Sequence, residues 1–193
     1  MRHVFGTRHV FGTRHMLCIV FDLDNTLVHT TPAVCGDTAA HPVVGGTAWM
    51  HVRPHARELI LNARATSKVG IWTAGTPAYA KEVVTHLAAV CDLTYDSFEC
   101  VLSRDDTTVY KDAQHSPVYV KDLAVVRLLT GIDDVYLVDD NPVHTCVVGN
   151  RGCVIQVQPF HYTGVTDYGL LYLMIEMEVL LRARARPAVF SKA

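Results

Sequence analysis

The chain has 193 residues, half of them apolar, and a formal net charge of −2 at pH 7. This length suits one well-cored domain and is too short for two domains of ordinary size. The near-neutral charge argues against a disordered acidic chain and against a strongly basic nucleic-acid binder, so contacts with phosphate have to be local. We therefore expect one globular domain, a monomer, with no direct nucleic-acid binding.

The cysteines indicate a reducing, intracellular compartment, and the apolar tracts predict no membrane span. The longest apolar tract, residues 170–181, contains two glutamates and is too short to cross a bilayer, so it predicts a buried helix and no membrane span. We expect a location in the nucleus or cytoplasm, with the mitochondrion as the alternative. Six cysteines without a Cys-x-x-Cys pair, most of them beside apolar residues, are typical of buried reduced thiols: Cys18, Cys35, Cys91, Cys100, Cys146 and Cys153.

Before the first predicted strand, residues 2–7 and 8–13 repeat the sequence Arg-His-Val-Phe-Gly-Thr. The repeats contain arginines and no acid, as transit peptides do, but the segment is short for one. We interpret residues 1–16 as a disordered leader, or as an upstream start with Met16 as the initiator. The folded domain is expected over residues 17–183, with a tail at residues 184–193.

A continuous apolar run, residues 17–21, ends at two carboxylates, Asp22 and Asp24. The run is typical of a buried parallel strand, and open α/β sheets place their sites at the carboxyl ends of such strands. Side chains alternate along a strand, so both acids can face one cavity. Two such like charges need a bound cation, a shared proton or strong donors, so the pair predicts chemistry rather than packing.

The middle of the chain alternates between predicted strands and helices. Residues 29–48, rich in Gly, Pro, Thr and Ala, predict a loop or small flap and an open site. Pro54 suits the first position of a helix that ends near Ala65, and Thr76 and Pro77 suit the N-cap and first position of the next helix. Strands are predicted at residues 49–52 and 68–73, and the second helix has apolar residues at helical spacing: Ala80, Val83, Val84, Leu87 and Ala88.

The same alternation continues to the end of the chain. We predict strands at residues 98–102, 135–138 and 154–157, a polar connection at 103–117, and helices at 121–130 and 166–182. Strands alternating with helices predict an α/β fold with one doubly wound parallel sheet, right-handed crossovers and at most a small flap insertion.

Polar side chains follow three of the predicted parallel strands: Asp22 with Asp24, Thr73, and Asp139 with Asp140. The carboxyl ends of parallel strands meet at one edge of a sheet. Four carboxylates at that edge form an oxygen-ligand site suited to Mg²⁺. Adjacent side chains diverge, so we expect one member of the Asp139-Asp140 pair on the metal and the other orienting it.

Lys121 stands at the predicted N-terminus of a helix, where a cation opposes the helix dipole. A phosphate group would offset this cost, because the ammonium and the exposed backbone N–H groups attract it together. The alternative is a surface lysine neutralised by Asp122. Lys121 is therefore a candidate phosphate-binding residue.

Residues 22–26, Asp-Leu-Asp-Asn-Thr, resemble the first motif of the haloacid-dehalogenase-like phosphotransferases. Residues 52–55, 72–75 with 79–80, and 119–123 follow in an order that resembles the phosphatases of the RNA polymerase II carboxy-terminal domain and their small relatives. The resemblance covers residues 17 to about 180. It implies a cap-less, Mg²⁺-dependent phosphatase that acts on phosphoserine or phosphothreonine in an extended protein segment.

The resemblance also implies a role for each matching residue. Asp22 would be the nucleophile that takes the phosphoryl group, and Asp24 would be the general acid and then the base. Mg²⁺ would be held by Asp22, the backbone carbonyl of Asp24 and Asp140, with Asp139 as the alternative ligand because residues 139–142 differ from the Asp-Asn-Ser-Pro of the small phosphatases. The implied phosphate-binding and substrate-binding residues are Thr26, Thr73, Ala74, Lys121 and Arg104.

Two other functions stay open at this point. One is a phosphatase of small metabolites or of nucleic-acid ends. The other is a non-catalytic binding module like the related mitochondrial import-translocase subunit, which the arginine-rich leader favours and the retained acids disfavour.

Asn25 is the generic superfamily residue at a position where close relatives carry glutamate.

Several other patterns predict a surface or packing role rather than a site. His51 and His55 are separated by Pro54, which opens a helix, so they are not a helical metal-binding pair. Residues 45–47 lack the lysine of a nucleotide-binding loop. No basic stripe accompanies the later aromatic residues, so we expect them in the core or in a groove wall: Phe160, Tyr162, Tyr168 and Tyr172.

Overall fold

A computed structural model describes residues 16–32, 40–142, 147–164 and 166–185. The predicted leader lies outside these ranges except for Met16, and the predicted tail lies outside them from residue 186 onward. The described strands are β1 (Leu17–Phe21), β2 (Val28–Thr31), β3 (His41–Val43), β4 (Ala48–Val52), β5 (Lys68–Trp72), β6 (Val101–Leu102), β7 (Thr108–Lys111), β8 (Pro117–Val120), β9 (Asp134–Asp139) and β10 (Val154–Gln156). The described α-helices are α1 (Ala56–Thr66), α2 (Pro77–Val90), α3 (Leu123–Thr130) and α4 (Gly169–Ala185).

Five of these strands form one parallel sheet, in the order β10, β9, β1, β5, β6. The central strand, β1, pairs with both β9 and β5, and all of its residues are buried. Its side chains alternate between two cores: Ile19 and Phe21 pack on the side of α1, α2 and α4, whereas Cys18 and Val20 pack on the side of α3. This arrangement confirms the predicted α/β fold with a doubly wound parallel sheet.

Within the predicted loop or small flap at residues 29–48, the described residues form strands. β2 and β3 both pair antiparallel with β4, which gives a second sheet in the order β2, β4, β3. Its buried side chains Val28, Val43 and Met50 join the core of the main domain, so this sheet needs no core of its own. Gly45 and Gly46 lie in the turn between β3 and β4 with φ of 62° and 84°, a conformation that glycine adopts without strain.

The start of α2 confirms its prediction, and the start of α1 does not. The Thr76 hydroxyl accepts a hydrogen bond from the backbone N–H of Tyr79 at 3.3 Å, and Pro77 is the first helical residue. α1 begins at Ala56 rather than at Pro54, because His55 takes a left-handed conformation, with φ of 67°, at the N-cap.

α3 also begins later than predicted, at Leu123 rather than at Lys121. The Asp122 carboxylate accepts a hydrogen bond from the backbone N–H of Ala124 at 3.0 Å and caps the helix. Aspartate is a better N-cap than lysine, because its short side chain reaches the free N–H groups of the first turn. Lys121 therefore lies just outside the helix, and its side chain is free to point elsewhere.

Between α2 and α3, the predicted strand is shorter than expected, and the predicted polar connection contains a 3₁₀ turn and a further strand. The strand predicted at residues 98–102 is limited to the two residues of β6. The polar connection at residues 103–117 contains a 3₁₀ turn, Arg104–Asp106, and the strand β7, which pairs antiparallel with β8. All four residues of β7 are exposed, so the hairpin has no apolar alternation from which it could be predicted.

α4 begins at Gly169 rather than at residue 166, and the prediction of a buried helix is wrong for one of its faces. Leu170, Leu173 and Met177 are buried, whereas the face that includes Ile175 is exposed. Apolar residues on both faces remove the periodic signal that would have separated the buried face from the exposed one. None of the described helices combines the length and the hydrophobicity that a membrane crossing requires.

The cysteines within the described residues are free thiols: Cys18, Cys91, Cys100 and Cys153. Burial raises the pKa of the Cys18 thiol to about 12 and that of Cys91 to about 11. These two groups are protonated and act as small apolar side chains. Cys35 and Cys146 lie outside the described residues.

Arg53, at the end of the flap sheet, forms a buried ion pair. Its Nε donates to Asp167 Oδ1 at 2.9 Å and its Nη2 to Oδ2 at 3.2 Å, while Nη1 donates to the carbonyl of Thr26 at 3.1 Å. The guanidinium also lies 5.4 Å from the ring centre of Phe160. These contacts join the segment before α4 to the loop that follows β1.

Replacing Asp167 by asparagine should therefore destabilise the fold. The Arg53 side chain is 0% exposed and that of Asp167 is 25% exposed, so Asp167→Asn leaves a buried cation without its partner and should lower the free energy of unfolding by about 2 kcal/mol. Urea unfolding would measure the change. Asp92→Asn, which removes an exposed pair with Arg57, is the matched control and should leave the midpoint unchanged. Equal midpoints for both variants would contradict this assignment.

Candidate active site

The carboxyl ends of β1, β5 and β9 meet at one edge of the central sheet. They deliver Asp22, Thr73 and Asp139 to that edge. The backbone N–H of Asp22 still donates to the carbonyl of Val138 at 2.9 Å, so Asp22 keeps the alignment of the parallel ladder. Three residues predicted to act together are therefore neighbours because the sheet register makes them so.

Lys121 joins two of these residues. Its Nζ donates to Asp22 Oδ1 at 2.5 Å and to Asp139 Oδ2 at 2.8 Å. All three side chains are buried, so water screens their charges little. Asp122 instead caps α3 and accepts a hydrogen bond from Asn150 at 2.9 Å. Lys121 is thus a buried member of the site, and the interpretation of it as a surface lysine is wrong.

Burial and charge together set the ionisation of this cluster. Burial raises the pKa of the Asp22 carboxyl to about 7 against the attraction of Lys121, and the charges of Asp139 and Asp24 add to the rise. Burial acts to lower the pKa of Lys121, but the attraction of Asp22 and Asp139 outweighs it and the pKa is raised. Lys121 therefore stays cationic, while a further cation near Asp22 would favour its ionised form.

Asp22, Asp139 and Asp140 form a group whose carboxylate oxygens lie within 4.8 Å of one another. When all three acids are ionised, the single ammonium of Lys121 leaves an excess of two negative charges. Magnesium is a hard cation that binds through one or two carboxylates together with waters and substrate phosphate. The oxygen donors and the charge excess of this group fit a Mg²⁺ ion.

The two acids after β9 differ in what they contact. Asp139 accepts a hydrogen bond from the backbone N–H of Asn141 at 2.7 Å on Oδ1 and from Lys121 on Oδ2, so both of its oxygens are engaged. Asp140 is half-buried, and the hydroxyl of Thr26 donates to its Oδ1 at 3.3 Å. Burial and the neighbouring Asp139 raise the pKa of Asp140. Asp140 is thus the less engaged of the two acids and the better placed to accept a cation.

Asp24 is half-buried and is not a member of the group formed by Asp22, Asp139 and Asp140. Two hydroxyl groups bind its carboxylate. Thr73 Oγ1 donates to Asp24 Oδ2 at 3.1 Å, and the Tyr79 hydroxyl donates to Oδ1. The backbone N–H of Gly75 donates to Thr73 Oγ1 at 2.9 Å, which fixes that hydroxyl. Burial and the charge of Asp24 raise the pKa of Tyr79, so the phenol stays a proton donor in this contact.

Tyr79 is the site residue that sequence reasoning missed. It belongs to a motif of the family, but its chemistry alone gave it no role. Tyr79 is the third residue of α2, and helical side chains point back toward the N-terminus of their helix. Because α2 begins just after β5 and Thr73, a long side chain in its first turn reaches the edge of the sheet. That position was a usable signal.

Three further residues that the resemblance implied for binding contact other parts of the site. Thr26 is fully buried, and the backbone N–H of Asp140 donates to its hydroxyl at 3.2 Å. This contact places the Thr26 hydroxyl against Asp140, a candidate metal ligand, and the implied role of Thr26 in binding phosphate stays a prediction. Arg104 Nε donates to the carbonyl of Ala74 at 2.7 Å, and its guanidinium lies 4.7 Å from the ring centre of Tyr119, at the rim of the site.

The two histidines that were expected to have a surface or packing role contact aromatic rings. His51 is buried, its Nε2 lies 3.1 Å from the Thr31 hydroxyl oxygen, and its ring stacks on Tyr162 with centres 4.0 Å apart. His55 stacks instead on Tyr168, with ring centres 6.4 Å apart. Phe160 is buried as expected, whereas Tyr168 and Tyr172 are exposed, so these two do not lie in the core.

Comparisons with known proteins agree with this geometry. Residues 17–185 match the family of NLI interacting factor-like phosphatases. The fold is similar to that of fission yeast RNA polymerase II CTD phosphatase Fcp1, a variant bound to beryllium fluoride, at 21% identity and a TM-score of 0.53 over 88% of this chain and 52% of that one. A second structure of Fcp1, an essential RNA polymerase II CTD phosphatase, gives 21% identity and a TM-score of 0.55 over 90% of this chain and 56% of that one.

The chain thus spans about half the length of the solved structures that it matches. No curated protein matches it. The likeness to the solved structures shows the fold, and the match over almost the whole domain shows the family. The chain belongs to the NLI interacting factor-like phosphatases of the haloacid-dehalogenase-like superfamily.

Proposed function

We propose that this chain is a Mg²⁺-dependent phosphatase that acts on phosphoserine or phosphothreonine in an extended protein segment. The observation that carries the proposal is the contact of Lys121 with Asp22 and Asp139 at the sheet edge. Asp24, two positions after Asp22, is instead bound by hydroxyl groups. One carboxylate lies among charges and the other among neutral donors. Two acids in different environments suit two different roles in catalysis.

In the first step, an oxygen of Asp22 attacks phosphorus while the bond from phosphorus to the serine or threonine oxygen breaks. Asp24, in its protonated form, gives its proton to the departing oxygen, so that an alcohol leaves. In the second step, Asp24 takes a proton from water, and the water oxygen attacks the phosphorus of the aspartyl-phosphate. Inorganic phosphate then leaves, and Asp22 is free again.

Charge neutralisation around the phosphoryl group would come from residues of the chain and from the metal. Lys121 places an ammonium beside the nucleophile, and the Thr73 hydroxyl lies within reach of the same edge. Magnesium, held by Asp22, Asp140 and the backbone carbonyl of Asp24, with Asp139 as the alternative, would neutralise charge on the phosphoryl oxygens. Positioning and charge supply most of the rate enhancement in reactions of this kind.

The protein substrate is supported by the access to the site and by the relatives. Asp24 and Asp140 are half-buried, so the edge is reachable from solvent, and the flap sheet packs on the core of the domain without a core of its own. Both similar structures are described as phosphatases of the carboxy-terminal domain of RNA polymerase II, which is a protein substrate. An extended segment could lie across such an edge and present one phosphorylated side chain.

A substrate panel tests this proposal. Phosphoserine and phosphothreonine peptides, sugar phosphates and nucleotides would be offered to the full chain with Mg²⁺, and phosphate release would be measured. We expect release from the peptides, its loss with a chelator and its return with added Mg²⁺. Asp22→Asn should abolish release with the fold intact, because an amide does not attack phosphorus. Preference for sugar phosphates or nucleotides, or no turnover of any substrate, would overturn the proposal.

Lys121→Met should lower kcat by roughly 10²–10³-fold, because it removes one charge that stabilises the transition state. Lys68→Met is the matched control, since Lys68 lies at the opposite end of β5 and pairs with Glu99 at the surface; it should leave kcat unchanged. Circular dichroism shows whether each variant is folded. Lys121→Arg, which keeps the charge, is the conservative variant. Turnover by a folded Lys121→Met at the normal rate would remove Lys121 from the mechanism.

Tyr79→Phe should slow the release of a poor leaving group more than that of a good one. The hydroxyl of Tyr79 orients Asp24, and a general acid matters most when the departing oxygen is basic. We expect kcat to fall about tenfold for a phosphoserine peptide and little for p-nitrophenyl phosphate. Added to Asp24→Asn, the substitution should have no further effect. Tyr95→Phe is the control, and equal losses on both substrates would show that Tyr79 does not act through Asp24.

A further inference from the structure

A buried amide outside the sheet edge contacts the residue that follows Lys121. Asn150 lies in the 3₁₀ segment Val148–Cys153, which precedes β10, and it is 7% exposed. Its Nδ2 donates to Asp122 Oδ1 at 2.9 Å, and its Oδ1 accepts from Arg127 Nη1 at 3.4 Å. Both polar ends of this amide are therefore engaged, as burial of an amide requires.

The two contacts of Asn150 hold the first part of α3 at two points. Asp122 is the N-cap of this helix, and Arg127 is its fifth residue. Arg127 Nε also donates to the carbonyl of Asp133 at 3.0 Å, just before β9. Through Asn150, the start of α3 is fixed to the segment that leads into β10, a strand of the central sheet.

The chain on the other side of Lys121 provides less support. Lys121 directly follows β8, and β8 pairs with β7, whose four residues are all exposed. Among the described residues, this two-stranded sheet contributes no side chain to either hydrophobic core. The backbone at Lys121 is therefore fixed from the side of the helix, where Asp122 is bound both by the first turn and by Asn150.

We propose that Asn150 is a positioning residue: through Asp122 it fixes the backbone that carries the Lys121 ammonium to the edge of the sheet. The proposal rests on the function proposed above, and it gives Asn150 no contact with the substrate. A charge stabilises a transition state best when it is in place before the reaction, so a small displacement of the ammonium lowers the rate.

A purely structural role for Asn150 predicts different results. Removal of the amide leaves the hydrogen bond from the Ala124 N–H to Asp122, so α3 still has its cap. Some stability is lost in either case, because two polar groups lose a buried partner. Only a positioning role also predicts that the effect on the rate disappears once Lys121 is absent.

Kinetics with p-nitrophenyl phosphate and Mg²⁺ would test this dependence in the full chain. Asn150→Ala should lower kcat about tenfold, because the ammonium is then less well placed. Added to Lys121→Met, the same substitution should have no further effect on kcat. Asp122→Ala should also lower kcat, and its combination with Asn150→Ala should lower kcat by less than the product of the two single effects.

Thr130→Val is the matched control for the stability of α3. The Thr130 hydroxyl donates to the carbonyl of Val126 at 2.8 Å and accepts from the N–H of Ile132 at 3.2 Å, at the opposite end of the helix. Its loss should shift the midpoint of urea unfolding and leave kcat unchanged. If Asn150→Ala does not fold, Asn150→Ser replaces it in the same measurements.

A measurement without turnover tests the same proposal independently of the reaction. In a chain whose lysines carry a heavy nitrogen isotope, the Lys121 ammonium should give a resolved NMR signal, because two buried carboxylates hold its protons. Lys121→Met identifies the signal by its loss. Asn150→Ala should abolish the signal through faster exchange with water, whereas Thr130→Val should preserve it.

Any of four results would overturn the proposal. The first is a folded Asn150→Ala with normal kcat and an unchanged ammonium signal, and the second is a further loss of kcat in the Lys121→Met background. The third is an equal loss of kcat in Thr130→Val, and the fourth is the absence of the ammonium signal from the unaltered chain. If the unaltered chain hydrolyses no substrate, the proposed function fails, and the ammonium signal alone decides the role of Asn150.

Discussion

The buried ammonium of Lys121 between Asp22 and Asp139 is the contact on which the site depends. It joins the end of β1, the segment before α3 and the end of β9, three parts of the chain that are remote in sequence. Neither the cation nor the two acids would be stable in this environment alone, because each would be a buried charge without a partner. The same contact explains why α3 starts with Asp122 as its cap: the lysine side chain is directed inward, to the edge of the sheet.

Around this contact, the sheet edge gives two nearby carboxylates different surroundings. Asp22 is buried among charges, whereas Asp24 is half-buried and accepts hydrogen bonds from the neutral hydroxyls of Thr73 and Tyr79. The alternation of side chains along the strand end places the two acids in one cavity but against different neighbours. The ammonium of Lys121 favours the ionised form of Asp22, whereas the two hydroxyls fix the position of the Asp24 carboxyl group, which suits the two roles proposed for these acids.

Sequence reasoning predicted the parts of this protein whose signals are local. The buried run before Asp22 indicated β1, and Thr76 with Pro77 indicated the start of α2, because each signal lies within a few residues. The misses depend on contacts between distant segments. β2 and β3 are strands because β4 and the main core lie beside them, and Tyr79 acts on a residue 55 positions away. The two faces of α4 are alike in composition, so only the packed structure shows which one is buried.

Support for the site extends beyond the residues at the edge of the sheet. The hydroxyl of Thr26 donates to Asp140, and the carbonyl of Thr26 accepts from Arg53, which is paired with Asp167 just before α4. Thr26 therefore connects Asp140, a candidate metal ligand, to the buried ion pair of Arg53 and Asp167. A loss of that ion pair acts first on the stability of the fold, and through Thr26 it also acts on the orientation of Asp140. The stability of the fold and the orientation of this candidate metal ligand therefore depend on one residue, Thr26, which is itself fully buried.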